Sequence, residues 1–135
     1  MVAYSFERRF IEPITIGLVP GPPASRAKRQ TIRAERRPRH ARPGERMQLF
    51  FAMRSKQCQF LGEPRCTGVW PIHLSFAPAS VLIEGMPSPQ GAAELDAFAR
   101  RDGFGDWAEL AAFWAERHGR TVASGFQGVL LIWLP

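Results

Sequence analysis

The sequence predicts a small α+β domain, a mixed β-barrel of five or six strands with two or three short helices. Three observations carry that expectation. At 135 residues and 45% hydrophobic, the chain holds one core of ordinary size and is too short to divide comfortably into two. Short apolar runs of strand character recur along the chain, whereas clear helical periodicity is gathered between Ala92 and His118, just before the last strand. The strand-to-helix alternation of a doubly wound parallel sheet is missing. One domain spanning 1–135 is therefore expected.

The elements follow in order. "VAYSFERRF" (2–10) reads as a short strand, and "FIEPITIGL" (10–18) as a short helix with Phe10, Ile11, Ile14 and Leu18 at helical spacing. "VPGPPASRA" (19–27) has three prolines and a glycine in nine positions, which neither a helix nor a central strand accommodates, so it is a loop or an insertion. A Pro-Gly turn at Pro43 and Gly44 leads into "MQLFFAM" and "KQCQFLGEPRCTGVW", which read as two or three strands. "PIHLSF" (71–76) alternates as a half-buried strand does, while the apolar run from Val81 to Ile83 stands in a Pro-, Gly- and Ser-rich setting that leaves its state open. "AAELDAFARR" places Leu95, Phe98 and Ala99 on one helical face, ending at Asp102-Gly103. Asp106 and Glu109 then form a capping box ahead of a Trp107, Leu110, Ala111 and Trp114 stripe, with Gly119 as the expected stop. "FQGVLLIWLP" is uncharged and apolar from Val129 to Leu134, as in a strand buried on both faces or in a barrel wall.

The net charge of +6 is unevenly placed. Nine of the 18 basic side chains but only two of the 12 acidic ones lie between Arg26 and Arg46, so the excess positive charge sits in one segment. Such clustering suits a phosphate-facing patch, and arginine's planar fork suits bidentate phosphate contacts and stacking on bases. High-GC codon usage accounts equally well for the excess of arginine over lysine, though not for the clustering. No run of about 18 apolar residues is present to span a bilayer, and the N-terminus lacks the apolar core of a secretory signal. A cytoplasmic location and no membrane partner are expected. Cys58 and Cys66, eight apart, match no zinc-site spacing, and His40, His73 and His118 are scattered, so no metal and no cofactor are expected. The cysteines read as free thiols, and a monomer is favoured.

Three blocks then stand in order: "KRQTIR" (28–33), "RPGERMQL" (42–49) and "ARRDGFGDWAELAAFW" (99–114). Together they resemble the ASCH domain family, whose fold is a PUA-like β-barrel, in its small single-domain bacterial or phage form. The family pattern has a Gly-x-Lys-x-x-Thr-x-Arg block, which falls on Lys28, Thr31 and Arg33. A Pro/Val-Gly-Asp/Glu turn falls on Gly44 and Glu45, and an acidic-Gly-Phe step on Asp102, Gly103 and Phe104. The likeness covers nearly the whole chain. It departs in two places: the 19–27 insertion separates Gly17 and Leu18 from the lysine block, and Asp102 stands where the family's amidohydrolases carry glutamate.

The resemblance implies RNA or a modified nucleoside as partner, and either a binding domain, an amidohydrolase removing an acyl group from the exocyclic amine of cytidine, or a ribonuclease acting on single-stranded RNA. Lys28, Thr31 and Asp102 are then the candidate catalytic residues. The Lys-x-x-Thr spacing puts both side chains on one side of a helical turn or tight loop. A threonine hydroxyl needs a neighbouring base, and Lys28 serves if burial and the surrounding arginines lower its pKa. Asp102 orients the lysine or the substrate, and Arg33 holds an oxyanion or phosphate. The same residues also fit a plain ion pair, a turn and a helix end. For binding, Arg29, Arg33, Arg36, Arg37, Arg39 and Arg42 are the expected phosphate contacts, with Trp70 or Phe104 stacking on a base.

Overall fold

Among the described residues, seven strands in two sheets stand in place of the single barrel expected. The computed structural model describes residues 2–36 and 39–135, and of 120–122 the backbone only. One sheet has the order β1-β3-β4, from Val2–Phe6, Met47–Phe51 and Gln59–Gly62; β1 runs parallel to β3, and β4 antiparallel to it. The other has the order β2-β7-β5-β6, from Gln30–Arg33, Phe126–Leu134, Arg65–Phe76 and Ala79–Ile83, antiparallel throughout.

The sheets are stitched along one edge and open along the other. Gly44 N donates to Cys66 O at 2.7 Å, Cys66 N to Glu45 O at 2.7 Å, and Met47 N to Pro64 O at 2.8 Å, flanking a bridge between Arg46 and Arg65. At the opposite edge β1 and β2 are not paired, so the barrel does not close. There the Arg33 guanidinium of β2 donates to Ser5 O of β1 at 2.9 Å, and a cavity opens beside this contact.

The apolar C-terminal run becomes β7, an inner strand whose Val129, Leu130, Leu131 and Trp133 are all buried. β5 is one strand of twelve residues, not two separated at Pro71. Proline is tolerated because its carbonyl accepts from Glu84 N, so its missing N–H faces the same side, where the ladder with β6 has already ended at the Ile72–Ile83 pair. Three helices, α1 (Ile11–Gly17), α2 (Gly91–Arg101) and α3 (Trp107–Ser124), accompany the sheets, with a 3-10 turn at Arg8–Phe10 before α1. Asp106 caps α3 as expected, accepting from Glu109 N at 2.8 Å, but the Glu109 carboxylate takes Gly105 N and not Asp106 N. α3 is two helical stretches joined across a kink at His118, whose φ/ψ are non-helical, so the first stretch ends within one residue of the expected stop at Gly119 and the second ends at Gly125 with φ 85°. The core between sheets and helices includes Tyr4, Ile14, Leu49, Leu74, Phe98, Leu110 and Leu131, each at most 1% exposed. Among the described residues no helix is long and apolar enough to cross a membrane.

Candidate functional site

The site begins with a backbone contact. Lys28 N donates to Pro13 O of α1 at 2.9 Å, and a Cβ on Gly17 would stand 2.3 Å from Lys28 O, so only glycine lets α1 approach this closely. Lys28 lies two residues before β2, which carries Thr31, so its spacing from Thr31 is not that of a helical turn. The side chain, 2% exposed, carries its ammonium past the rings of Phe10 (4.7 Å) and Phe6 (5.8 Å). Its Nζ donates to Asp102 O at 2.6 Å and lies 3.5 Å from Asp102 Oδ1. Gln30 Nε2 donates to the same carboxylate oxygen at 3.2 Å.

Asp102 is placed by the end of α2. Gly103 N bonds Arg100 O and Phe104 N bonds Ala99 O, the paired bonds of a Schellman motif, with Gly103 at φ 99°. Lys28 caps this helix end, its ammonium on the Asp102 carbonyl where the helix dipole is negative. Helix ending and ion pair are thus one arrangement. The plain readings of these residues, an ion pair and a helix end, both hold.

Thr31 and Arg33 supply the second half. Arg33 Nε donates to Thr31 Oγ1 at 3.1 Å, and the guanidinium lies over Phe6 (4.7 Å) and Tyr4 (5.4 Å). Burial lowers the Lys28 pKa to about 8; the Asp102 charge opposes that shift and Arg33 adds to it. Burial, then Arg36, lowers Arg33 to about 10, and burial raises Asp102. Ionised together, two cations face one carboxylate, so the site has an excess positive charge for an anion or a developing oxyanion.

Lys28, Thr31, Arg33 and Asp102 all line one cavity of about 420 Å³. Its aromatic side comprises Phe104, Phe113, Trp114 and Phe126, and Ser5, Glu7 and His118 also line it. Arg117 holds Glu7 through bonds of 2.7 and 2.9 Å, which keeps that carboxyl below its ordinary pKa, and His118 lies against Trp114 with ring centroids 4.8 Å apart.

The predicted arginine rim is largely occupied within the protein. Arg29 donates to the carbonyls of Gly17, Val19 and Gly21 and so fastens the start of the 19–27 loop. Arg39 forms a two-pronged pair with Glu45 at 2.6 and 2.9 Å. Arg36 is exposed over the Tyr4 ring at 4.5 Å, and Arg42 is exposed beside the Gly44 turn. Arg37 lies outside the described residues. Trp70 sits on β5 against Gly68 and Gly85 and does not line the cavity. Phe104 does line it but is 5% exposed, between the Arg9 guanidinium (4.6 Å) and the Phe10 and Phe113 rings, so it forms floor and not a free stacking platform.

Sequence reasoning missed Gln30, Glu7, Trp114, His118 and Phe126 at this site. Trp114 was legible only as part of a core stripe, and it serves as both core and cavity wall. Cys58 and Cys66 are free thiols, and no group of three or more His, Cys, Asp or Glu side chains comes together among the described residues. Compared with known proteins, the chain matches no family model, no curated protein and no solved structure.

Proposed function

We propose that the chain is an ASCH-type domain of PUA-like descent whose cavity receives one nucleoside and hydrolyses an acyl group from the exocyclic amine of cytidine. The observation that carries this reading is the convergence of a buried Lys28–Asp102 pair and an Arg33-held Thr31 on one cavity. The cavity is of nucleoside size, at the lower end of the range for small-molecule sites.

The chemistry would draw on groups that line this cavity. Neutral Lys28 takes the Thr31 hydroxyl proton as the oxygen attacks the acyl carbon, and Arg33 stabilises the resulting oxyanion. Collapse breaks the C–N bond, the lysine ammonium returns the proton to the departing amine, and water then hydrolyses the threonyl ester to free acid. Asp102, held by Gln30, keeps the lysine aimed. The Phe126 and Trp114 side of the cavity offers the base an apolar wall.

Purified protein should release free acid from acylated cytidine. Lys28→Ala or Thr31→Ala should abolish turnover while the circular dichroism spectrum stays native. Absence of turnover across a panel of acylated nucleosides, with nucleoside binding retained, would leave a binding domain as the better account.

A second reading, single-stranded RNA binding with or without cleavage, draws on exposed Arg36 and Arg42 near the unpaired edge and the Gly44 turn. It requires affinity that falls steeply with salt, log K against log salt sloping by roughly −0.7 per phosphate contacted. A flat response rules it out. The intramolecular capture of Arg29 and Arg39 favours the single-nucleoside reading.

A further inference from the structure

A second cavity of about 280 Å³ lies between α2 and the four-stranded sheet, beneath the two Pro-rich loops. Ile83, Phe98, Leu130 and Ile132 give it an apolar interior, and Pro23, Met86 and Pro87 border it from the loops. At about 30 Å³ per water-sized group, it has room for roughly nine such groups.

Its charge is one-sided. Arg29 and Arg101 line it and no acidic residue does. Arg29 spends Nε and one terminal nitrogen on loop carbonyls, and its Nη1 makes no hydrogen bond among the described residues. Arg101, exposed on the last turn of α2, lies 5.9 Å from the Phe98 ring and has no carboxylate partner among the described residues. Glu94, which with Arg101 lines an adjoining cavity, accepts Gln90 N at 3.0 Å as part of the helix start.

An apolar interior lined by two arginines and no carboxylate favours a ligand with an apolar body and a single anionic head. We propose that this cavity binds a small organic carboxylate with an aliphatic or aromatic body of about eight carbons. A neutral analogue fills the same space but gains no charge pairing from the two arginines, and an amine of the same shape is repelled by them.

Octanoate tests the assignment, with octanol and octylamine as controls, by calorimetric titration of the whole chain. Saturable octanoate binding is expected, with octanol at least tenfold weaker and octylamine without measurable binding. Arg101→Ala should weaken octanoate at least tenfold, with Arg101→Lys intermediate, and Met86→Trp should abolish binding by filling the cavity from its loop. Both positions lie outside the fully buried core, and native circular dichroism spectra check that the variants fold. Octanol binding as tightly as octanoate would overturn anion recognition. Binding indifferent to both Arg101→Ala and Met86→Trp would overturn the location, and no octanoate binding at millimolar concentration would overturn the site.

Discussion

If Lys28 is the base, the rate must follow its neutral form. At a pKa of about 8, about a tenth of the lysine is neutral at pH 7, about half at pH 8 and about nine-tenths at pH 9. An unperturbed lysine near 10.5 would be neutral to only about 0.03% at pH 7, so burial enriches the reactive form on the order of 300-fold. The acyl-cytidine kcat/KM should therefore rise about tenfold from pH 7 to 9 and level off above the pKa. Two variants move the profile in opposite directions. Asp102→Asn removes the attraction that holds the proton on Lys28, so the pKa falls and the rise moves to lower pH. Arg33→Met removes a repulsion, so the pKa climbs and the rise moves to higher pH. Each variant also lowers the plateau by removing a group from the site. A measurement without turnover is available because the chain has only two lysines, Lys28 and Lys56. With Lys56→Arg, the remaining 13Cε signal should titrate near pH 8. A midpoint near 10.5, a rate that falls between pH 7 and 9, or both variants shifting the same way would refute the reasoning.

Three further outcomes follow from geometry outside the reacting atoms. Gly103→Ala should cost about 1–3 kcal/mol in urea denaturation, because φ is 99° and a Cβ would meet Lys28 Cδ and Phe10 Cδ1 at 3.1 Å. It should also lower turnover, since the same residue sets the Asp102 loop. His40 is held between Tyr4 OH, 3.0 Å from Nδ1, and Ala34 O, which accepts from Nε2 at 2.7 Å, contacts that the neutral ring satisfies with Nδ1 as acceptor. Burial foremost lowers its pKa, aided by Arg36 and Arg33 and opposed by Ala34 O and Glu35, so the unfolded chain takes up the proton first as pH falls. Stability is then full above the unfolded value near 6.5 and is lost as pH falls through the folded value. The urea midpoint should drop more between pH 7 and 5 in the native chain than in His40→Gln; equal slopes would remove His40 as the cause. Arg29→Ala frees three carbonyls at the start of the 19–27 loop, and limited proteolysis should cut that segment several times faster; an unchanged rate would mean that the guanidinium does not fasten it.

Much of this fold was legible because local signals and burial agree. The Asp106 cap, the Trp107 to Trp114 stripe and the uncharged run of β7 each became the element their residues predict. Other features were decided by partners far away in sequence. Gln30–Arg33 carries two polar residues and an arginine, with no alternation that marks a strand; it becomes one because β7 offers an unpaired edge, and the three buried residues Gln30, Thr31 and Ile32 follow from that pairing. Pro71 looked like a boundary because proline breaks ladders, yet the break falls where β6 has no bond to lose. Gly119 marked the end of the first stretch of α3 to within one residue, the kink falling at His118, but the second stretch that continues to Ser124 was not legible.

The site obeys the same division. Lys28, Thr31, Arg33 and Asp102 could be named from sequence, but what they do depends on an edge that sequence does not mark. Had β1 and β2 paired, their backbone groups would be satisfied by each other and the barrel would close over its interior. Instead Ser5 O receives the Arg33 side chain, and the cavity opens beside that contact. The arginine that spans the gap also holds the Thr31 hydroxyl, so one side chain joins the two sheets and orders the site. Three arginines of this run also have structural tasks within the protein. Arg29 fastens the loop ahead of the site, Arg33 bridges the open edge, and Arg39 is neutralised by Glu45 at the stitched edge. Arginine suits all three tasks because its fixed fork can satisfy several acceptors from one partly buried position, which a lysine ammonium does less well. Lysine stands at position 28, where burial brings the pKa of a cation down to about 8, which the guanidinium of an arginine would not reach.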